Sequence, residues 1–132
     1  MKQAGAAALL LLAAQLSMAA SGPPAPGDPA RGALIYGRCE ACHALAYNRT
    51  GPKHCGLFGR RAGSVAGFAY SPAMARSTII WTDKTLDRFL ANPARMVPGT
   101  AMGYAGIADS RERADLIAWL RRESVSPAEC PR

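Results

Sequence analysis

The sequence predicts an all-α domain of three to four short helices joined by long loops. Three observations predict it. Several segments carry helix caps followed by apolar residues at three- and four-residue spacing, and no run alternates as a strand does. The middle of the chain, Thr50 to Trp81, holds Gly51, Pro52, Gly56, Gly59, Gly63, Gly67 and Pro72, so it is expected to be turns with at most short helical pieces.

Residues 1–20 stand apart from that domain. Met1, Lys2 and Gln3 precede an apolar run from Ala4 to Ala14, and Ser17, Met18 and Ala19 give a small-x-small pattern. That order is a secretory signal peptide cleaved near Ala19 or Ala20. The run falls short of the roughly 20 residues that span a bilayer, and Gln15 breaks its continuation, so an uncleaved anchor is the weaker alternative. Residues 21–27 form a Pro/Gly-rich linker, and 28–132 form the domain.

The helices come in order. Asp28 caps the first, Pro29 opens it, and it runs to about Tyr36, where Gly37 ends it. Thr82 or Asp83 caps a second that presents Leu86, Phe89 and Leu90 on one face and stops at Pro93. The last opens near Asp109, with Glu112 placed as in a capping box, and presents Leu116, Ile117, Trp119 and Leu120. So long a loop in so small a domain needs a filler that the helices do not supply.

Charge bounds the partners. The 16 Lys and Arg outnumber the 9 Asp and Glu, giving +7, or +6 once Lys2 leaves with the leader. The basic residues are scattered rather than ranged along one helix, and an exported chain rarely meets nucleic acid, so an acidic protein is the expected partner.

Cys39-Glu40-Ala41-Cys42-His43 names the filler. Two thiols three residues apart on a turn can reach both vinyl groups of one haem, and the adjacent His can then ligate the iron. A thioredoxin-like pair needs a strand and helix alternation that is absent here. Half a zinc site would need further ligands from His54, Cys55 or Cys130, at no familiar spacing. The remaining iron position decides the chemistry: left open it allows gas or peroxide reactions, and a thioether closes it. Met74, Met96 and Met102 are the candidates in the domain.

The chain resembles the class I cytochrome c family over nearly its whole mature length. The matching residues are Gly32 and Tyr36, the Cys39 to His43 motif, Thr50-Gly51-Pro52, Gly56-Leu57-Phe58-Gly59-Arg60 and Gly67-Phe68-Ala69-Tyr70. Trp81, Asn92-Pro93, Pro98-Gly99-Thr100-Ala101-Met102, Leu116 and Trp119 complete the set. The resemblance implies one covalent haem c on Cys39 and Cys42, with His43 and Met102 as axial ligands. It implies that the Pro52 carbonyl fixes the His43 ring and that Arg60, Tyr70 and Trp81 surround a buried haem propionate. It further implies a monomeric one-electron carrier, not an enzyme, serving an oxidase, quinol-oxidising complex, reaction centre or dehydrogenase, and the signal peptide makes the expected compartment the periplasm.

Departures from the family pattern are informative. The stretch from His43 to Pro52 is shorter than in mitochondrial members, as in short bacterial forms. Phe89 stands where many members carry a Tyr that bonds the Met ligand, and Ala94 and Ala101 replace lysines of the docking face. That face is therefore expected to rest on Arg38, Arg95 and their neighbours. His54, a lone His in a turn, reads as a surface residue. Cys55 and Cys130 are the cysteines outside the haem motif, and the leader directs the chain to an oxidising compartment, so they are expected to form a disulfide. In the resembled fold this bond ties the loop below the haem to the tail beyond the last helix.

Overall fold

The computed structural model describes residues 26–131; the leader and the linker through residue 25 lie outside the described residues. Its helices are α1 (Pro29–Tyr36), α2 (Pro72–Ala75), α3 (Asp83–Ala91), α4 (Pro93–Met96) and α5 (Ser110–Glu123). No strand forms among the described residues, where the nearest approach to one is an isolated antiparallel bridge between Arg61 and Ile80.

The two terminal helices cross because the sequence leaves room for it. A Cβ on Gly32 would fall on the carbonyl of Asp115 and within 2.6 Å of Trp119 Cβ, so only glycine lets α1 approach α5 this closely. Tyr36 stacks on Trp119 with ring centroids 4.2 Å apart, and Leu116 is 1% exposed at the same crossing. Truncating Leu116 to Ala would cost about 2–5 kcal/mol, as buried leucines do. Asp115 fixes the geometry: its carboxylate, almost wholly buried, accepts from the Asp28 amide at 2.6 Å and from Arg31 Nε at 2.7 Å.

Local chemistry sets the helix ends. Asp28 accepts from the Ala30 amide at 2.9 Å, and Pro29 supplies a pre-set φ at the first position. Thr82 and Thr85 form a reciprocal capping box at the start of α3, whose Leu86, Phe89 and Leu90 are buried. One expectation gains a feature and one needs correction. Pro93 ends α3 but also opens α4, because the Asn92 side chain accepts from the Arg95 amide at 2.9 Å and recaps the chain. Glu112 does not reach back to its cap: Asp109 alone caps α5, and Glu112 instead binds Arg38.

The long middle wraps rather than folds into helices. Backbone bonds from Gly59 to the Trp81 carbonyl (2.9 Å), from Trp81 to the Arg60 carbonyl (3.0 Å) and from Ala62 to the Ile79 carbonyl (2.8 Å) zip its two arms together. This zip sets Arg60 and Trp81 side by side. At the other end the Gly56 amide bonds the Ser124 carbonyl at 2.8 Å, which holds the tail after α5 against the loop. Cys55 and Cys130 meet there, with Cα atoms 5.5 Å apart and their sulfurs in bonding contact.

Candidate functional site

Between α1, α3, α5 and the wrapped middle lies a mostly apolar cavity of about 570 Å³. The Cys39 to His43 motif forms one wall. It continues α1 as a tight turn, with the Cys39 amide bonded to the Tyr36 carbonyl at 2.7 Å and the His43 amide to the Cys39 carbonyl at 2.9 Å. Both motif cysteines are unpaired and line the cavity. Burial pushes the Cys39 thiol up, the opposite of the lowered value that makes a thioredoxin-type thiol attack.

His43 is the best-defined group of the site. Its ring is 9% exposed, and Nδ1 donates to the Pro52 carbonyl at 2.8 Å. A carbonyl can only accept, so the bond places the proton on Nδ1 and leaves the Nε2 lone pair bare. Burial lowers the affinity of the ring for a second proton, and the Pro52 bond works weakly against that. The ring is thus a neutral imidazole with one lone pair available to a metal.

His54 stands inside this arrangement and is not a surface residue, which corrects the expectation for it. Its ring stacks on that of His43, centroids 4.3 Å apart and planes 22° from parallel, and it lines the same cavity. The Tyr36 hydroxyl shares a 3.2 Å hydrogen bond with its Nδ1. Burial first, then His43 and Arg60 nearby, push its pKa down to about 3. Sequence reasoning missed it because its partner Tyr36 is distant along the chain. Its place two residues beyond Pro52, in a loop that must reach His43, was the available signal.

The other expected residues converge on the same cavity. The loop from Thr100 to Tyr104 contributes consecutive lining residues, Met102 among them, whose amide donates to the Thr100 hydroxyl at 3.2 Å. Met74 also lines the cavity, but as an 8% exposed core residue, whereas Met96 packs against the core away from the wall. Arg60 lines it while donating to the Cys55 carbonyl at 2.7 Å and the Lys53 carbonyl at 3.0 Å, and burial lowers its pKa. The Tyr70 hydroxyl accepts from the Val65 amide at 3.3 Å, and Trp81 packs against Phe89 at 5.1 Å. Glu112 clamps the exposed Arg38 guanidinium with two bonds, at 2.7 and 2.9 Å, so its charge is matched within the chain.

A covalent haem fits this donor set. An apolar cavity, two unpaired thiols on a turn and a neutral imidazole with a bare Nε2 are what attachment and ligation need. A zinc site does not fit, since no group of three or more His, Cys, Asp or Glu among the described residues could hold a metal ion, and Cys55 and Cys130 lie together at the tail instead.

Known proteins agree. The family described as Cytochrome c matches residues 29–124. The chain is 44% identical over 100 residues to cytochrome c of Ulva intestinalis, covering 73% of this chain and 90% of that protein. It is 38% identical over 117 residues to cytochrome c2 of Blastochloris viridis, covering 86% and 88%. Among solved structures it superposes on cytochrome cH from Methylobacterium extorquens with a TM-score of 0.70 and 38% identity, covering 72% of this chain and 98% of that one. Proteins of this family carry one covalently attached haem c and transfer electrons rather than catalyse a reaction. With its helices wrapped about an apolar cavity and the Cys39 to His43 motif in the wall, the chain belongs to the cytochrome c family and has its all-α class I fold.

Proposed function

We propose that this chain is an exported, periplasmic, monomeric carrier of single electrons between redox proteins, with Cys39 and Cys42 bound to the haem and His43 and Met102 on its iron. The 2.8 Å bond from His43 Nδ1 to the Pro52 carbonyl carries the reading, because it presents Nε2 as a ligand and tethers the opposite edge of the ring. The haem, when bound, supplies a one-electron change at iron. All else falls to the chain. Met102 is favoured over Met74 because it sits on a run of cavity-lining loop residues, whereas Met74 is anchored in the core, its amide donating to the Ser71 hydroxyl at 3.2 Å. Ligands that stay in place as the charge changes need little rearrangement, and His with Met favours the reduced state. Arg60, Tyr70 and Trp81 supply donors for a buried carboxylate of the group. Phe89, without a hydroxyl, leaves the Met sulfur free of that polar contact. The periplasmic assignment rests on the leader-like residues 1–20, and the proposal includes the Cys55–Cys130 disulfide.

Met102→Ala tests the reading. The expected protein keeps its haem through acid-acetone extraction, loses the weak far-red band of an iron–thioether bond, and shifts to a lower potential. Met74→Ala should lose only packing, about 2–5 kcal/mol. If Met74→Ala removes the band and Met102→Ala does not, the ligand assignment is wrong.

A further inference from the structure

We propose that His54 is a positioning residue for the axial ligand: held by Tyr36, its ring stacks on His43 and sets the plane in which that ring faces the iron. The inference rests on His43 being the ligand. Its own footing is geometric.

The hydrogen bond from Nδ1 to Pro52 tethers one edge of the His43 ring and the Gly51 backbone lies close against it, but neither contact offers a flat face that sets its plane. Something must hold the plane. The His54 ring lies 4.3 Å away and within 22° of parallel, an offset-stacking distance at which rocking either ring breaks contact. His54 could follow such a motion if it were loose, and it is not. Its Nδ1 is bonded to the Tyr36 hydroxyl at 3.2 Å, and the two rings meet edge to face at 5.8 Å. Tyr36 is in turn 3% exposed and stacked on Trp119 at 4.2 Å, in the crossing of α1 with α5. The ligand plane is thereby referred through three aromatic contacts and one hydrogen bond to the crossing of α1 with α5.

An apolar residue at 54 could fill the same space without that reference. A leucine offers neither a flat face to stack nor an atom for the Tyr36 hydroxyl. A polar ring beside the ligand also favours the more highly charged ferric state, so its loss should raise the potential.

The test uses haem-loaded protein carrying His54→Leu, His54→Phe or Tyr36→Phe. Proton NMR of the ferric form reads the pattern of haem-methyl shifts, which depends on the orientation of the ligand plane, and redox titration reads the potential. For H54L we expect haem still attached, the iron–thioether band retained, a rearranged methyl pattern and an upward shift in potential. H54F should restore the wild-type methyl pattern more fully than it restores the potential, because it keeps a flat ring and loses the polarity. Y36F should move the pattern in the H54L direction by less. H54L with the wild-type pattern and potential overturns the inference; if H54L does not accumulate, a wild-type pattern in Y36F overturns it equally. Wild-type ferric protein without a histidine–thioether spectrum is a separate result: it removes the ligation reading, and this inference with it.

Discussion

The backbone of Gly51 lies against the imidazole of His43, so close that a Cβ on residue 51 would stand 2.6 Å from Nδ1 and 2.7 Å from Nε2. Real Cβ atoms do not approach that near, so Gly51→Ala must push the ring or the loop aside. The loop is not free to yield: the Gly51 amide bonds the Cys42 carbonyl at 2.6 Å, and the next residue holds His43 Nδ1. The expected variant retains covalent haem but is less stable by about 1–3 kcal/mol, the usual cost of overpacking. Its ferric spectrum should show weakened histidine ligation. Denaturant unfolding monitored at the haem absorption checks both, and wild-type stability in the variant would show that the loop absorbs the methyl.

Acid stability should hinge on Asp115. Its hydrogen bond from Arg31, helped by the Asp28 amide, holds the carboxyl below the usual carboxylate range. A depressed folded-state value means that the stabilisation is complete above the unfolded value of about 3.9 and is lost as the pH falls through the folded one. His54, buried neutral, acts over a higher window: it costs stability as the pH falls from its ordinary value of 6.5 toward about 3. Comparing wild type with Asp115→Asn isolates the lower window. The variant should melt lower at neutral pH, with the two melting curves converging below about pH 4, as read by thermal unfolding across pH. Parallel curves down to strong acid would mean that the carboxylate charge contributes nothing.

How much of this was legible in the sequence depends on the range of the contact. Asp28, Thr82 and Asp109 cap helices through amides two or three residues away, and the residues alone disclose such caps. Pro93 stops α3 as expected, and α4 after it went unread because stop and start signals coincide: Asn92 caps the chain anew at the same place. Glu112 looked local and is not, since its partner Arg38 lies 74 positions away and offers two donors where the cap offers one. His54 is the same case in the site itself. A histidine in a Gly-rich turn reads as exposed until the turn is wrapped against His43 and Tyr36, and that wrapping belongs to the tertiary fold. The expected residues Cys39, Cys42, His43, Pro52, Arg60, Tyr70, Trp81 and Met102 all line one cavity, which the periodicity of short helices could not have placed.

The pairing of Cys55 with Cys130 is open to a direct chemical test. Before any bond forms, the two segments are already held together, since the Gly56 amide bonds the Ser124 carbonyl at 2.8 Å. With the residues 75 apart in sequence, cross-linking should add up to about 4 kcal/mol on the chain-entropy model, and less where attached haem already constrains the unfolded chain. Alkylation of denatured, unreduced protein from the oxidising compartment, and then mass measurement, should add no label at either position. Two added labels would mean free thiols and a tail held by backbone bonds alone.

Docking charge should come from Arg95 rather than Arg38. Many of the basic groups are matched inside the chain: Arg31 and Arg111 by Asp115, Arg113 by Asp87, Arg121 by Asp83, Arg122 by Glu123 and Arg38 by Glu112. Among the described residues Arg95 has no such carboxylate partner, and it sits in α4, which leads directly into the Met102 loop. An unmatched charge beside the haem-side loop steers an acidic partner, and salt weakens that steering beyond about 8 Å at physiological ionic strength. Removing Arg38 alone would misreport its role, because it leaves the Glu112 carboxylate unmatched on the same surface. The informative comparison is Arg38→Gln with Glu112→Gln against Arg95→Gln. In stopped-flow reduction by an acidic redox protein at low salt, the double variant should keep the wild-type rate within about twofold, while R95Q slows it several-fold. Both should converge on wild type near molar salt. A double variant slower than R95Q at low salt would return Arg38 to the docking face and show that its pairing with Glu112 opens on encounter.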